Sequence, residues 1–270
     1  FKGSVFTGGV CGDNGGTVEN CYNTGTISSG YVGGGVCGYS GGTVENCYNT
    51  GTVSSVYAGG VCVSGGVCGY NSGGTVENCY NTSTISSDEV GGGVCGSNEG
   101  TVENCYNTGT VSGVYAGGVC SDNAGTIKSS YNTGTVSGSD TAGGVCRLNN
   151  STITNCYYLE NTASGGIGNN DSTGSAEVKT AAQFASGEVT YLLNGSKSEG
   201  DTVHFYQNLS GENADALPVL DNTHSVVYFG ESCKTGDISY INKDDFHDFD
   251  ENGFCTQKEG ETHYQPATLN

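Results

Sequence analysis

Between residues 1 and 158 the apolar positions are short and evenly spaced. Residues 91–112 read Gly-Gly-Gly-Val-Cys-Gly-Ser-Asn-Glu-Gly-Thr-Val-Glu-Asn-Cys-Tyr-Asn-Thr-Gly-Thr-Val-Ser, and this order recurs about six times. Aligned on Asn-Cys-Tyr, the copies place Cys21, Cys47, Cys79, Cys105 and Cys156 at one offset, with Ser130 in the fifth copy. The step is about 26 residues, except between Cys47 and Cys79, where residues 63–68 duplicate the preceding Gly-Gly-Val-Cys and add six. Each copy divides at its glycines into three short extended pieces, too short for helices and without a 3.6-residue period. The Asn-Gly, Ser-Gly and Asn-Thr-Gly corners between them accept the left-handed dihedrals of turns. A unit of this size cannot bury its own apolar face, so neighbours must stack. The prediction is an all-β parallel β-solenoid of about six coils, in which each side chain meets its own kind ~4.8 Å above and below.

The expected rows follow from the offsets. Val18, Val44, Val76, Val102, Ile127 and Ile153 form one β-branched column, and Ile27, Val53, Ile85, Val111 and Val136 another; both belong inside. Asn20, Asn46, Asn78, Asn104 and Asn155 are expected to make a ladder of side-chain amides at a corner. Tyr22, Tyr48, Tyr80, Tyr106, Tyr131 and Tyr157 make an aromatic column, inside or outside. Glu19, Glu45, Glu77 and Glu103 share an offset with Lys128, which predicts an exposed acidic stripe relieved at one end by the lysine.

Repeats of this form resemble the GLUG-motif repeats of bacterial surface proteins. These occur in adhesin-like proteins and beside the protease modules of some immunoglobulin A peptidases. The resemblance covers residues 1–160, with the family's Gly-Gly-Leu-Val-Gly written here as Gly-Gly-Val-Cys-Gly (residues 34–38). Beyond it, residues 161–230 read as a small α+β cap. Residues 179–194 supply a helix, with Ser186 placed to cap a second turn, and strands follow around Pro218-Val-Leu and Val226-Val-Tyr-Phe. This part resembles the segment that closes such arrays in surface proteins of gut Firmicutes. An open coil end needs closing in any case, because it exposes edge strands. Residues 231–270 read as an acidic linker or small module containing Cys233 and Cys255.

Composition narrows the function. Eight Lys+Arg against 28 Asp+Glu, a net charge of −20, excludes nucleic acid and anionic membrane surfaces as partners. No apolar run approaches the ~20 residues of a membrane helix, so membrane insertion is not expected. Residue 1 falls inside a repeat, which reads as a piece of a longer polypeptide whose further domains are partners. Fourteen cysteines without any Cys-x-x-Cys point to an extracellular location, on the cell surface, in the wall or secreted. They pair within coils as Cys11/Cys21, Cys37/Cys47, Cys68/Cys79, Cys95/Cys105 and Cys146/Cys156, with Cys233/Cys255 in the tail; Cys120 faces Ser130 and Cys62 is surplus. Two readings stand: disulfides that staple each coil, or two columns of buried thiols acting as small apolar residues.

Candidate chemistry is sparse. Gly38-Tyr-Ser-Gly-Gly42 fits the Gly-x-Ser-x-Gly nucleophile pattern, but other copies carry Asn14 and Asn98 at that offset, so Ser40 reads as a turn residue. His204, His224, His247 and His263 all lie beyond the repeats, and no His-Glu-x-x-His exists. The expectation is therefore no enzyme and no cofactor. One calcium pattern occurs, with Asp248, Asp250, Asn252, the Phe254 carbonyl, Thr256 through water and Glu259 as ligands. Its flanks lack helical period, which favours a solvated acidic linker. The Thr pairs Thr24/Thr26, Thr50/Thr52, Thr82/Thr84, Thr108/Thr110 and Thr133/Thr135 raise ice binding as a rival, although the residue between is glycine in four of five and marks a corner. The function expected is a non-enzymatic stalk or adhesive surface contacting a host or neighbouring-cell glycan or protein, with a substrate-docking arm of a larger protease as a further alternative.

Overall fold

The computed structural model describes residues 5–56, 62–195, 202–231 and 238–242. The chain forms two compact units, Phe1–Lys179 and Thr180–Asn270. The calcium candidates Asp248, Asp250, Asn252, Phe254, Thr256 and Glu259, and the pair Cys233 and Cys255, lie outside the described residues.

The first unit is the parallel β-solenoid that the repeat predicts. One coil runs through Val32–Gly34, Cys37–Ser40, Thr43–Glu45, Tyr48–Asn49 and Val53–Ser55, and each piece pairs in parallel with the same piece of the next coil. The pieces assemble into three parallel sheets. The first holds the Val32 and Val53 pieces, the second the Cys37 piece, and the third the Thr43 and Tyr48 pieces. In the β-branched columns like meets like: Val76 faces Val44 and Val102, and Ile85 faces Val53 and Val111.

Both β-branched columns are interior, and two cysteine columns and a further valine column (Val36, Val67, Val94, Val119, Val145) fill the remaining core. In Gly-Gly-Val-Cys-Gly the valine and the cysteine both point inward, with Val36 and Cys37 each 0% exposed. Five of the six extra residues fall between Val53–Ser55 and Val63–Gly65, and the sixth between Cys68–Asn71 and Thr75–Glu77; on either side the strands are in register with the preceding coil.

The stack continues past residue 160. Ile167–Asn170 adds to the second sheet, with Ile167 in register with Cys146, and Gly174–Lys179 adds to the third. The polar composition of residues 161–175 conceals this, because what the stack requires there is only Ile167 and Asn170 at the right offsets.

The asparagine ladders lie elsewhere than expected. Asn20, Asn46, Asn78, Asn104 and Asn155 do occupy corners, with φ values of 50° to 53°, the left-handed region asparagine tolerates, and at one end Asn155 Nδ2 donates across coils to Ser129 Oγ at 3.1 Å. The amide ladders are one step away and inside. Asn23, Asn49, Asn81 and Asn107 each donate Nδ2–H to the next Oδ1 at 2.8 Å, the last acceptor being Asn132. Each also closes an Asx turn on the carbonyl two residues on, as Asn49 does with Gly51 at 2.7 Å. Tyr158 ends this ladder, in register with Asn132. A second ladder runs Asn71, Asn98, Asn123, Asn149 and Asn170 at 2.8–2.9 Å.

The second ladder has one break. Asn14 donates to Ser40 Oγ at 3.1 Å, but Ser40 donates its hydroxyl to the Gly42 carbonyl, and Asn71 Oδ1 is buried without a partner. Ser40→Asn supplies the missing Nδ2–H and is expected to stabilise the fold by about 1 kcal/mol or more, the cost of an unmet buried acceptor. A lower urea midpoint for the variant would refute this.

The second unit begins with two short helices instead of one. Ala181–Ala185 (α1) opens on a capping box in which Thr180 Oγ1 accepts from Gln183 N and Gln183 Oε1 accepts from Thr180 N. Gly187, at φ 88°, breaks the path before Glu188–Leu193 (α2). Phe184, Val189, Leu193 and Phe205 are buried there, around a Gln207 side chain that donates to the Phe184 and Asp215 carbonyls. Val227–Glu231 pairs antiparallel with Ile238–Asn242.

Candidate functional site

Alternation along the third sheet decides what faces outward. In Thr43-Val-Glu45 the valine is buried and its neighbours are half-buried; after the Asn46 corner, Cys47 points in, Tyr48 out and Asn49 in. The outer surface therefore carries parallel rows of threonine, glutamate, corner asparagine and tyrosine, one member per coil.

The tyrosine row is a stack. Successive centroids from Tyr22 through Tyr48, Tyr80 and Tyr106 to Tyr131 lie 5.1, 5.0, 4.8 and 5.1 Å apart, with planes within 8° of parallel. Tyr48, Tyr80 and Tyr106 have a ring stacked on each face, so this part of the row presents edges and hydroxyls. Its exposure falls along the chain, from 58% at Tyr22 to 8% at Tyr106 and 0% at Tyr131. Burial raises the Tyr106 and Tyr131 phenols above their ordinary range.

The glutamate row runs in register from Glu19 to Glu103 as expected, with Lys128 Nζ bonded to Glu103 Oε1 at 2.6 Å, but only Glu19 is exposed and Glu45, Glu77 and Glu103 are half-buried. Glu77 is raised from 4.5, first by desolvation, then by a hydrogen bond and repulsion from Glu45 and repulsion from Glu103. A folded-state pKa above the unfolded one means stability that is full below the ordinary value and declines as pH rises through the raised one. Converting Glu45 and Glu77 to Gln should flatten that decline. At neutral pH and low salt it should raise the melting temperature, with a gain in stability of about 1 kcal/mol or less given the partial solvent exposure. The gain should vanish at high salt. A lower melting temperature at low salt would show that the row makes contacts of the opposite sign.

The remaining candidates resolve as follows. Ser40 is 0% exposed and its hydroxyl is spent on Gly42, so it is a ladder member, neither a turn residue nor an accessible nucleophile. Of the histidines, His204 and His224 lie in the second unit, and His247 and His263 fall outside the described residues. His224 Nδ1 meets Asp215 Oδ2 at 2.6 Å, and the same oxygen accepts from Asn208 N. The threonine pairs flank bends; Thr50 and Thr52 straddle buried Gly51 and do not form one flat strand.

The twelve described cysteines are free thiols, the second of the two arrangements open from sequence. The within-coil bridges Cys11/Cys21, Cys37/Cys47, Cys68/Cys79, Cys95/Cys105 and Cys146/Cys156 are not formed, because the thiols turn to nearby carbonyls. Cys47 donates to Glu45 O at 3.0 Å, Cys79 to Glu77 O at 3.0 Å, and Cys146 to Leu148 O at 3.2 Å. Ser130 fits the same pattern, donating to Lys128 O at 2.9 Å. Burial pushes Cys37 and Cys156 up to about 12, and raises Cys146 as well. Native alkylation should therefore label Cys11 and Cys21, the half-exposed pair of the first coil, well before the rest; uniform labelling would contradict the buried columns.

Among the described residues no helix is long and apolar enough to cross a membrane, and no group of three or more His, Cys, Asp or Glu is placed to hold a metal ion. No curated protein matches the chain in sequence. A similar solved structure is a candidate immunoglobulin A1 protease from Bacteroides ovatus, 22% identical, with a TM-score of 0.49 over 82% of this chain and 76% of that one. Residues 59–86 and 89–112 match the GLUG motif. The described residues among them lie in the middle coils of the stack, and the chain thus holds a GLUG repeat region folded as a parallel β-solenoid.

Proposed function

We propose that this chain is a non-enzymatic repeat segment of a bacterial surface protein, in which the solenoid acts as a stalk and offers an adhesive face to a glycan or protein of a host or neighbouring cell. The observation that carries this reading is the outer surface of the third sheet. Threonine, glutamate and tyrosine stand there in unbroken rows over successive coils, with Tyr22 58% exposed. Such a surface repeats one small set of polar and aromatic groups at fixed pitch, which suits a repetitive or extended partner. The interior supports the same reading, since valine, isoleucine, cysteine and asparagine there are spent on packing and ladders. The net charge of −20 favours neutral or basic partners. The test is binding of the intact chain to arrays of host and bacterial glycans and to immobilised surface proteins, with Tyr22→Ser and Tyr48→Ser as variants. Loss of binding in both supports the adhesive face. Binding that ignores both variants, or none at all, leaves the stalk role and removes the adhesive one.

A further inference from the structure

The tyrosine row has a reactivity that recognition does not use. In a parallel in-register stack two phenols of neighbouring coils are held face to face, as Tyr22 and Tyr48 are, with centroids 5.1 Å apart and planes 5° from parallel. Tyr48 is held in the same way against Tyr80 at 5.0 Å and 5°. The backbone fixes this arrangement, because Tyr22 pairs with Tyr48, and Asn23 with Asn49, in one register. The asparagines beneath are locked by their own 2.8 Å bond. Two aromatic rings in such a pose need no search to bring their ortho carbons together.

We propose that Tyr22 and Tyr48 form a dityrosine cross-link site, which joins the first two coils covalently when the protein meets a one-electron oxidant such as a peroxidase acting with hydrogen peroxide. Each phenol gives up one electron and its hydroxyl proton. The two phenoxyl radicals join through their ortho carbons, and the hydrogens displaced from those carbons return to the oxygens, restoring both phenols. The protein loses two hydrogens in all, and one hydrogen peroxide becomes two waters. Tyr22 is the entry point because it is the most exposed ring of the row at 58%, whereas Tyr106 and Tyr131, at 8% and 0%, are shielded from an oxidant. The product closes a loop across one coil and ties two neighbouring coils together. The proposal does not depend on the adhesive reading.

The test uses the whole chain at low concentration with thiols alkylated beforehand, treated with peroxidase and limiting hydrogen peroxide. The expected result is the blue dityrosine emission in a species that remains monomeric. A peptide pair joined through Tyr22 and Tyr48 should be two hydrogens lighter than the sum. Unfolding in urea before oxidation should cut the intramolecular yield about tenfold, since proximity is then lost. Tyr22→Phe keeps the ring stack and removes the phenol, and should abolish this link while the circular dichroism spectrum is unchanged. Cross-links that are only intermolecular, a yield unaffected by urea, or a Tyr22→Phe variant that cross-links as well as the parent at Tyr48 would each overturn the proposal.

Discussion

Asn81→Leu is expected to destabilise the solenoid by about 3 kcal/mol or more, although leucine nearly matches asparagine in size. The Asn81 amide makes four bonds: Nδ2 donates to Ser83 O and Asn107 Oδ1 at 2.8 Å each, and Oδ1 accepts from Asn49 Nδ2 at 2.8 Å and Ser83 N at 3.4 Å. The residue is 0% exposed, so water cannot replace those partners. Each buried group left unmet costs about 1–3 kcal/mol, and the Ser83 backbone loses both its donor's and its acceptor's partner. The control is Asn46, one of the corner residues at φ 52°. Asn46→Gly should cost only a few tenths of a kcal/mol, because glycine adopts that dihedral freely. Urea unfolding of the two variants checks the contrast. Equal losses would mean that the ladder and the corner are not distinct.

Gly66→Ala should be at least as damaging, again about 3 kcal/mol or more. A Cβ on Gly66 would lie 1.9 Å from the Gly93 carbonyl and 2.6 Å from Asn81 Cβ and Cγ. Those neighbours cannot retreat, because Gly66 N bonds Gly92 O at 3.1 Å and Val67 N bonds Val94 O at 2.8 Å. The added methyl must pry two coils apart and disturb the asparagine ladder as well. Gly35, Gly93 and Gly118 meet the same kind of obstruction, a carbonyl of the next coil and a ladder amide. Gly15, whose Cβ would meet nothing within 4 Å, is the matched control. Gly15→Ala should be neutral or slightly stabilising through the unfolded chain. A thermal melt in which both variants behave alike would show that the repeat glycines serve the turns and not the close approach of coils.

The two variants also show why some of the structure was legible in the sequence and some was not. Stacking forces side chains of one offset into one column, so the repeat alone predicts which residues meet: Val44 with Val76, Tyr48 with Tyr80, Glu103 with Lys128. What a column does depends on where the backbone turns. Asn46 and Asn49 are both repeated asparagines, yet one supplies a left-handed dihedral and the other a buried amide. Nothing in their spacing separates them until Cys47 is known to point inward, which makes Asn49, two residues on, point inward too. Ser40 misleads for the same reason: Asn14 and Asn98 at its offset suggest a turn, while its place on the strand makes it part of a ladder. The thiols were undecidable from spacing, since cysteines ten residues apart suit a bridge or two columns equally, and the carbonyls that draw each S–H aside are set by local backbone geometry. The outer rows were legible as rows, but the sinking of tyrosine from Tyr22 to Tyr131 was not, because identical letters carry no sign of unequal exposure.

The placement of the six-residue insertion has a consequence for how such a molecule can change length over generations. The asparagine ladders, the cysteine columns and the tyrosine stack run along most of the coils, so a gain or loss of a few residues at most positions would break several of them together. The six residues added between Cys47 and Cys79 are tolerated because five fall in the stretch joining Val53–Ser55 to Val63–Gly65 and one between Cys68–Asn71 and Thr75–Glu77, joints that none of these columns crosses. A whole coil can be copied or deleted at any joint, since every row then reconnects to its own kind, and the length changes by one strand spacing of ~4.8 Å. Recombination between near-identical copies supplies such steps. The gene can therefore lengthen or shorten its product in units of one coil while the core keeps the same cross-section.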